Sequence, residues 1–451
     1  MAIHSCVLHL DLKEGLSGGA GGKYRRMFPD LEGLKVDEPL LLALGRTGAA
    51  MDVVSDVPEA DNPRIAAGHT IFGHMLAHDV TADRSLLQHH ARLREIRNFR
   101  TPALDFESLY GAGPGGAPYL YDADDPDKFL LGNNAATDQN DLPRNRQGRA
   151  LLGDPRNDVH GIISQLHLTM LKFHNKVVDH VRKDGAAPSE AFSQAQRNVR
   201  WHLQWIVLHE FLPLTVGEDL MSELLERGLR YYQTGSRPFI PVEFADAAYR
   251  FGHAQIRVKY RLNAKTFAEI FPDLAGGRFV PPERVVEWRY FLELDPKTRP
   301  QASARIRARM AHSLIDLPES VVGATALPEY HSLACRDLLR ANALNLPSGE
   351  SVARHIGAEP LDAAEAGLGE YGWKGETPLW YYILREAEAR HNGERLGEVG
   401  GRIVAETLIG IIDADPTSYR SADPSWQPGL PAARDGEFTL ADAVRLAVPA
   451  A

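Results

Sequence analysis

The sequence predicts a mainly α-helical fold, and three observations lead to this prediction. Apolar residues recur at helical spacing in many segments of the 451-residue chain. The alternation of apolar and polar residues that is typical of strands is scarce, and no linker separates the helical segments cleanly. We therefore expect one large helical domain over residues 61–451, with an irregular arm over residues 1–60 packed on it.

The helices are predicted in order from their apolar stripes. The first covers about residues 63–79, where Ile71, Phe72 and Met75 fall on one side. Residues 111–150 are dense in Gly, Pro, Asp and Asn, which predicts a long surface excursion. Further helices are expected at about 159–183, 189–212, 243–258, part of 283–316, 328–345, 350–357, 377–391, 397–413 and 439–448.

Composition and charge narrow the class of protein. The net charge is −10 and the basic residues are dispersed, which argues against a nucleic-acid partner. Cys6 and Cys335 are too few for a disulfide framework, so a reducing compartment is expected. The chain has no apolar run of transmembrane length, and its N-terminus lacks the pattern of a secretory signal. These features predict a cytoplasmic protein.

The first helix carries two histidines on one face. His74 and His78 are four residues apart, and this spacing brings both side chains to the same side of a helix. Such a pair suits a metal, but the glutamate that a metalloprotease places between them is absent. Two buried, hydrogen-bonded histidines explain the pattern equally well.

Oxygen donors recur at every second position between Thr101 and Glu107. They are the Thr101 hydroxyl, the Ala103 carbonyl and the carboxylates of Asp105 and Glu107. An extended loop points all four the same way, and hard oxygen ligands with two carboxylates suit calcium. Asp79 is available as a further ligand. A solvated acidic turn remains the simpler alternative.

A turn before the longest predicted helix presents an arginine. Gly153, Asp154 and Pro155 precede Arg156, and a buried arginine there needs an anionic or strongly polar partner. The partner is either a ligand or a neighbouring carboxylate of the same turn, such as that of Asp154. The histidines that follow at positions 160, 167 and 174 flank an apolar stripe, where packing residues are more common than ligands.

Two later segments carry further candidate residues. Gly252 precedes His253 and removes a side chain where a flat molecule approaches closely. Considered alone, His253 is also compatible with core packing. Asp337 and Arg340 lie one helical turn apart, and by themselves they form an ordinary helix ion pair.

The order of these five motifs resembles that in the peroxidase–cyclooxygenase superfamily, the animal-type haem peroxidases, and looks most like its bacterial members. In that family Gly-Gln-x-x-x-His-Asp carries the distal histidine, Gly-Asp-x-Arg the distal arginine, and Arg-x-Gly-His the ligand of the haem iron. The resemblance covers roughly residues 64–357. The matching positions here are His78, Arg156 and His253.

The resemblance implies a role for each matched residue. His253 would bind the haem iron, with Asp337 accepting the hydrogen bond from its other ring nitrogen. His78 and Arg156 would be catalytic on the opposite face, where a histidine moves the peroxide proton and an arginine stabilises developing charge.

The remaining implied roles concern the haem propionates, the metal loop and the distal glutamine position. Arg250 and Arg340 would pair with propionates. Calcium bound by Asp79, Thr101, Ala103, Asp105 and Glu107 would hold the neighbouring distal histidine in place. His74, at the glutamine position, joins the catalytic set.

The sequence departs from the family pattern at several positions. Relatives that attach haem through ester bonds use acids where this chain has Ala77 and Val159, so non-covalent haem b is expected. His74 replaces the glutamine associated with halide binding. The dioxygenase branch has a radical tyrosine at the position of Arg250, and Tyr249 is expected to point elsewhere on its helix.

The resemblance therefore implies a haem peroxidase that reduces hydrogen peroxide and oxidises a small organic donor through a ferryl intermediate. Three alternatives stay open at this point. One is a fatty-acid dioxygenase on the same scaffold, the second is a haem-binding module without turnover, and the third is a non-haem histidine metal enzyme.

Overall fold

The computed structural model describes residues 24–53, 61–82, 96, 98–132, 140–234, 237–323 and 327–448. Helices dominate this part of the chain, as the sequence predicts. They are α1 (Glu38–Gly45), α2 (Ala67–Val80), α3 (Glu107–Tyr110), α4 (Gly113–Gly116), α5 (Gly161–Lys183), α6 (Ala191–Ile206), α7 (Leu212–Val216), α8 (Glu218–Arg227), α9 (Val242–Ala245), α10 (His312–Ile315), α11 (Glu319–Val322), α12 (Leu333–Ala343), α13 (Gly349–Ile356), α14 (Ala363–Ala366), α15 (Leu379–His391), α16 (Glu398–Ala414), α17 (Tyr419–Ala422) and α18 (Leu440–Ala447).

Short 3₁₀-helices and a π-helical turn complete the helical part. The 3₁₀-helices are Pro118–Leu120, Pro155–Asp158, Ala248–Gln255, Pro282–Arg284, Trp288–Tyr290, Pro328–His331 and Gly369–Tyr371, and the π-turn is Val207–Phe211. The strands are β1 (Asp52–Val53), β2 (Asp61–Ala66), β3 (Lys259–Arg261), β4 (Phe267–Glu269), β5 (Ala302–Ala304) and β6 (Met310–Ala311). They form two-stranded sheets, with β1 parallel to β6 and with β2–β5 and β3–β4 antiparallel.

α5 is the central helix of the part that positions the site. It packs against α2, α6 and α18, and its apolar stripe is buried as predicted. The His160 side chain, which directly precedes α5, accepts a hydrogen bond from the Ile163 amide and so caps this helix. The sequence thus predicts both the helix and its buried face.

Three sequence predictions of local structure differ from the observed elements. β2 occupies the start of the segment predicted as helix 63–79, and α2 begins only at Ala67. The segment 243–258 contains α9 and a 3₁₀-helix, because the chain must tighten there to present the residues around His253. Residues 283–316, predicted as partly helical, contain the 3₁₀-helix Trp288–Tyr290 and α10 as their main helical pieces, and the strands β5 and β6 between them were not predicted.

The described part of the 111–150 excursion contributes to the core. Leu120, Tyr121, Phe129 and Leu142 are buried, and the Tyr121 and Phe129 rings stack with centroids 4.8 Å apart. The prediction of a surface excursion is therefore wrong for these residues. Their apolar side chains are spaced too irregularly to be recognised as one face in the sequence.

The arm before the helical domain is described only from residue 24. Tyr24, Met27 and Phe28 are buried in the same core as the helices, and the boundary at residue 60 remains a prediction. Cys335 is buried, and burial raises the pKa of its thiol to about 11. Cys6 lies outside the described residues. Within the described residues, no helix combines the length and apolar character needed to cross a membrane.

Buried histidines should make the fold sensitive to acid. Burial lowers the pKa of His174 on α5 to about 4, against 6.5 for an exposed imidazole. The unfolded chain binds a proton at this histidine below pH 6.5, whereas the folded chain does so only near pH 4. The contribution of His174 to the free energy of unfolding is therefore fully present above pH 6.5 and is lost as the pH falls towards 4. One such histidine costs roughly 3 kcal/mol of stability once the pH has fallen to about 4.

We expect the free energy of unfolding, measured with denaturant, to fall between pH 6.5 and pH 4. A His174→Gln variant should show a weaker pH dependence over this range, because one titrating group is gone. His180→Gln, at a partly exposed histidine of the same helix, is the matched control for loss of an imidazole. An identical slope in wild type and His174→Gln would contradict the prediction.

Candidate active site

One face of α2 forms a wall of a cavity of about 320 Å³. The α2 residues lining it are Thr70, Gly73, His74, Ala77 and His78, which are spaced by alternating three and one residues and so share one face. The 3₁₀-helix around His253 and the start of α12 contribute other walls. The cavity therefore brings together residues from segments far apart in the chain.

His78 is held by a hydrogen bond to an asparagine of the neighbouring turn. Its Nδ1 lies 2.8 Å from Oδ1 of Asn157, which leaves Nε2 as the ring nitrogen available to the cavity. Burial, reinforced by the positive charge of Arg156, lowers the pKa of His78 to about 3. His78 is therefore a neutral imidazole near neutral pH and has the capacity to accept a proton.

Arg156 is fixed beside His78 by three acceptors. Its Nε and Nη2 donate to the two oxygens of Asp154 at 3.0 and 2.8 Å, and Nη2 also donates to the His78 carbonyl at 2.8 Å. Nη1 has no hydrogen bond to any residue that the structure describes, and Arg156 lines the cavity. Of the two kinds of partner that the sequence suggested for Arg156, the structure shows the neighbouring carboxylate, that of Asp154. Nη1 is left as a donor for a ligand.

Asp154 is a shared anchor for two arginines. Arg100 donates to Asp154 through Nε at 3.1 Å and also forms an ion pair with it. Burial acts to raise the pKa of Asp154, but the Arg156 and Arg100 guanidiniums outweigh it and hold that pKa well below its usual range. Asp154 is therefore ionised, which makes the position of Arg156 rigid.

A third histidine joins the pair predicted on α2. The His74 and His78 rings meet edge to face with centroids 4.4 Å apart, and His160 Nε2 lies 3.4 Å from His74 Nδ1. His160 also lines the cavity, although its position in the sequence suggested packing. Burial and the neighbouring histidines lower the pKa of His74 well below its ordinary value. All three imidazoles on this side are close together.

His253 lines the same cavity from a different element, the 3₁₀-helix Ala248–Gln255. Its Nδ1 lies 2.6 Å from Oδ2 of Asp337, so Nε2 is the nitrogen left for a ligand. The other oxygen of Asp337 is bound by Arg250. Burial acts to raise the pKa of Asp337, but His253 and Arg250 outweigh it and lower that pKa, so the carboxylate is charged.

The two arginines expected to bind propionates have carboxylate partners in the structure. Arg250 pairs with Asp246 and Asp337, and Nε of Arg340 lies 3.4 Å from Asp246. Both arginines still line the cavity, and their pairing with propionates remains a prediction. Arg250 and Arg340 are thus tied into a network of buried carboxylates behind His253.

Sequence reasoning missed Arg336. This arginine lies one turn before Arg340 on α12 and lines the cavity, and the structure assigns it no ion pair with any described residue. The spacing of four between two arginines on a helix was the available signal, because it places both on one face. Arg336 is therefore a candidate anion-binding residue at this site.

The prediction that Tyr249 points away from the site is wrong. Tyr249 lines the cavity, and its buried hydroxyl has no hydrogen-bond partner among the described residues. The reason is local: the segment is a 3₁₀-helix packed between Phe244 and Phe211, so the angular relation of Tyr249 to His253 differs from that in an α-helix.

The two positions that lack ester-forming acids both line the cavity. Ala77 and Val159 present apolar side chains there. Asp158, the neighbouring acid, is bound by two nitrogens of Arg144 at 2.7 and 2.8 Å. Its carboxylate is therefore engaged in an ion pair.

The predicted calcium loop packs against Asp79. The carboxylate oxygens of Asp79 accept hydrogen bonds from the amides of Phe106 and Ser108 at 2.8 and 3.0 Å. Burial and the nearby charge of Asp105 raise the pKa of Asp79 to about 7. Glu107 lies 3.6 Å from Arg100. These contacts anchor the loop directly behind His78.

The oxygen atoms of the loop are partly engaged within the protein. Asp105 accepts from the Glu107 amide, and Thr101 accepts from the Ala103 amide through its carbonyl. No group of three or more His, Cys, Asp or Glu side chains arranged for a metal occurs in the part of the chain that the structure describes. Calcium at Thr101, Ala103, Asp105 and Glu107 remains a prediction.

The fold resembles those of solved peroxidase and dioxygenase structures. Peroxidase A from Dictyostelium discoideum matches with a TM-score of 0.68 and 14% identity, over 94% of this chain and 93% of that one. A fatty acid alpha-dioxygenase of Oryza sativa matches with a TM-score of 0.62 and 14% identity, over 85% and 73% of the two chains. At these identities the likeness concerns the fold.

Sequence comparison gives the same family as the motifs. Residues 56–275, slightly less than half of the chain, match the family model described as animal haem peroxidase. Heme peroxidase 2 of Caenorhabditis elegans is 30% identical over 115 residues, which are 24% of this chain. The matched segment spans 16% of the length of that relative. The family resemblance found in the motifs is confirmed.

Proposed function

We propose that this protein is a haem-dependent peroxidase that reduces hydrogen peroxide and oxidises a small organic donor. The observation that carries the proposal is the arrangement of the cavity. His253, whose ring is hydrogen-bonded to the Asp337 carboxylate, enters the cavity from the 3₁₀-helix Ala248–Gln255. His78 enters from α2, and Arg156 enters from the 3₁₀-helix Pro155–Asp158 and donates to the His78 carbonyl. Together with the family match, this pairing favours peroxide chemistry over a simple metal pair on α2.

The residues present fit a haem. A Cβ at Gly252, beside His253, would meet no atom within 4 Å, so the backbone there leaves open space for a flat group. Apolar side chains including Phe271, Leu314 and Leu333 line other parts of the cavity. Nε2 of His253 is available as an iron ligand, because the Asp337 carboxylate accepts from Nδ1 and so fixes the tautomer and the orientation of the ring. Bound haem would supply the iron that accepts electrons from the donor and delivers them to peroxide.

The protein supplies proton transfer and charge stabilisation. Neutral His78 takes a proton from one peroxide oxygen at Nε2 and returns it to the other oxygen as the bond between them breaks. Arg156 directs Nη1 to the negative charge that develops on the departing oxygen. Asp154 keeps the guanidinium in position throughout, because it binds both Nε and Nη2.

The cofactor proposal has two finer parts. We propose that haem b is held without ester bonds, because Ala77 and Val159 offer no carboxylate and Asp158 is paired with Arg144. We also propose calcium in the loop against Asp79, supported by the two carboxylates of Asp79 and Asp105, which lie near enough to interact electrostatically. Extraction of the pigment into acidified solvent and elemental analysis of the purified protein test these two parts.

Arg336 is expected to contribute to haem binding through a propionate. An Arg336→Ala variant should bind haem more weakly by roughly tenfold, because a charge-assisted hydrogen bond contributes about 1.5–3 kcal/mol and part of it is lost to solvent. Haem titration followed by absorbance measures this affinity. Arg354→Ala on α13, whose arginine is exposed and outside the cavity, is the matched control. Equal affinities in the two variants would exclude this role.

A spectroscopic experiment tests the proposed function as a whole. The purified full chain is loaded with haem, and its absorption spectrum is recorded before and after addition of one equivalent of hydrogen peroxide. We expect a rapid spectral change that a one-electron donor such as a substituted phenol reverses with turnover. A haem-loaded protein that leaves peroxide unconsumed would support the haem-binding module instead. Zinc in place of iron would support the non-haem enzyme.

Fatty-acid dioxygenation is a second candidate function, favoured by one observation. The buried hydroxyl of Tyr249 lies in the cavity without a described partner, and burial raises the pKa of this phenol well above its usual range. A neutral phenol in this place is a candidate source of a radical. Oxygen uptake with an unsaturated fatty acid that is lost in Tyr249→Phe would establish this function, and no uptake in wild type would exclude it.

A further inference from the structure

A buried chain of three polar side chains leads away from the cavity behind His78. Oδ1 of Asn157 lies 2.8 Å from Nδ1 of His78, and Nδ2 of Asn157 lies 3.0 Å from Nδ1 of His167. Asn157 and His167 are completely buried, and neither lines the cavity. The hydrogen bond between Asn157 and His78 therefore connects the side chains of both residues to the site.

The amide of Asn157 couples the tautomers of the two histidines. Its oxygen accepts and its nitrogen donates, so the orientation in the structure requires a proton on Nδ1 of His78 and a lone pair on Nδ1 of His167. The reversed orientation would place the proton of neutral His78 on Nε2. In that tautomer the nitrogen available to the cavity carries a hydrogen and cannot accept one.

Only the observed orientation of the Asn157 amide lets its oxygen accept a hydrogen bond from Nδ1 of His78 both before and after His78 takes up a proton. A neutral imidazole donates from Nδ1 to Oδ1, and an imidazolium, in which both nitrogens donate, makes the same hydrogen bond. The amide therefore does not have to rotate while the proton moves. A fixed second partner behind a histidine is a general way of setting which nitrogen is the base.

His167 is an unusual residue for its position. It lies in the buried apolar stripe of α5, and its Nε2 has no hydrogen-bond partner among the described residues. The bond to Asn157 is thus the one hydrogen bond of its side chain in the part of the chain that the structure describes. A buried polar ring with half of its hydrogen-bonding capacity unused costs stability, so its packing does not explain its presence.

His174, seven residues later on the same helix, provides the contrast. Its Nδ1 contacts the Tyr110 hydroxyl at 3.0 Å, and its Nε2 donates to the Asp127 carbonyl at 2.9 Å. Both histidines are fully buried, and burial lowers the pKa of each to about 4. Both ring nitrogens of His174 have hydrogen-bond partners, as is usual for a structural residue. The ring of His167, by contrast, bonds only the amide of Asn157 among the described residues and orients it.

We infer that Asn157 and His167 are positioning residues: the Asn157 amide, oriented by His167, keeps the proton of neutral His78 on Nδ1 and leaves Nε2 as the base. This inference rests on the proposed peroxidase function for its catalytic meaning. The tautomer itself is a property of the folded chain and is measurable without haem.

The first test measures the tautomer directly. ¹⁵N-histidine-labelled full chain is examined without haem by NMR, and the His78 signals are assigned by their loss in His78→Gln. We expect protonated Nδ1 and unprotonated Nε2 in wild type and in Asn157→Asp, whose carboxylate still accepts from Nδ1. A proton on Nε2 of His78 in wild type overturns the inference, whether or not the protein proves to be a peroxidase.

The second test measures the consequence for the reaction. In Asn157→Leu the tautomer is no longer selected, and the rate constant for reaction with hydrogen peroxide per bound haem should fall on the order of 100-fold. Asn157→Asp should restore most of that loss, which a packing role would not predict. An unchanged rate in Asn157→Leu, or no restoration by Asn157→Asp, contradicts the inference.

The third test separates positioning from packing by comparing two variants of α5. His167→Leu should lower the peroxide rate at least several-fold while leaving the Tm unchanged or higher. His174→Leu should lower the Tm and leave the rate per bound haem unchanged, because two satisfied hydrogen bonds are lost far from His78. The opposite pattern, a large fall in Tm with an unchanged rate in His167→Leu, shows that His167 is structural.

Discussion

His253→Ala is expected to abolish specific haem binding, and the absorption band near 400 nm that marks a protein-bound haem should be absent after reconstitution. His253 is the cavity residue whose free ring nitrogen is backed by a buried carboxylate, through the 2.6 Å contact between its Nδ1 and Asp337. Removing the imidazole removes the side chain that would hold the haem iron on this side of the cavity.

The matched control for this variant is another histidine paired with an aspartate. Nδ1 of His312 lies 3.0 Å from Asp52, and His312 does not line the cavity. His312→Ala should therefore retain the band. Imidazole added to His253→Ala should restore haem binding in part, because it replaces the missing ligand. A normal band in His253→Ala without imidazole would show that another residue ligates the iron.

His78→Ala and Arg156→Ala should bind haem normally but lose most of their reactivity towards hydrogen peroxide. Proton transfer by a positioned side chain typically contributes 10²–10⁴-fold, so we expect a loss on the order of 1,000-fold for His78→Ala. Arg156→Ala should lose on the order of 100-fold, because it removes one charge-stabilising donor. The rate constant is measured by rapid mixing with peroxide and normalised to bound haem.

His202→Ala is the matched control for loss of a buried histidine. His202 is fully buried, and burial lowers the pKa of its imidazole to about 4, but it contacts Trp426 and Phe438 outside the cavity. Its peroxide rate per bound haem should match that of wild type. If His78→Ala and His202→Ala react equally fast, His78 is not the proton acceptor.

Local sequence patterns were sufficient to predict most of the longer helices. The stripe on α5 and those on α15 and α16 predicted elements whose bounds agree within a few residues, because helical spacing of apolar residues reports directly on burial. The short strands within residues 283–316 were not predicted, because they pair with partners elsewhere in the chain, as Ala302 and Ala304 of β5 do with β2. Pairing of that kind leaves no local period in the sequence.

The motifs of the site were also recognisable in sequence, but only some of their partners. Motif order and the family resemblance suggested individual roles for His78, Arg156 and His253, and they suggested the contact of His253 with Asp337. The second partner of Asp337 was not predicted, since Arg250 lies 87 residues away in the chain and the two meet only when the 3₁₀-helix packs beside α12. Arg336 was missed for the same reason, because a helical arginine looks the same whether it faces solvent or a cavity.

The sequence by itself determined a mainly helical protein with the ordered motifs of a haem peroxidase, because helical periodicity and motif order are properties of a linear chain. Only the tertiary structure decided that Tyr249 lies in the cavity and that Asn157 joins His78 to His167. The physical reason is that side-chain direction and hydrogen-bond partners depend on how separate elements pack. That packing also decides which nitrogen of His78 is free to accept a proton.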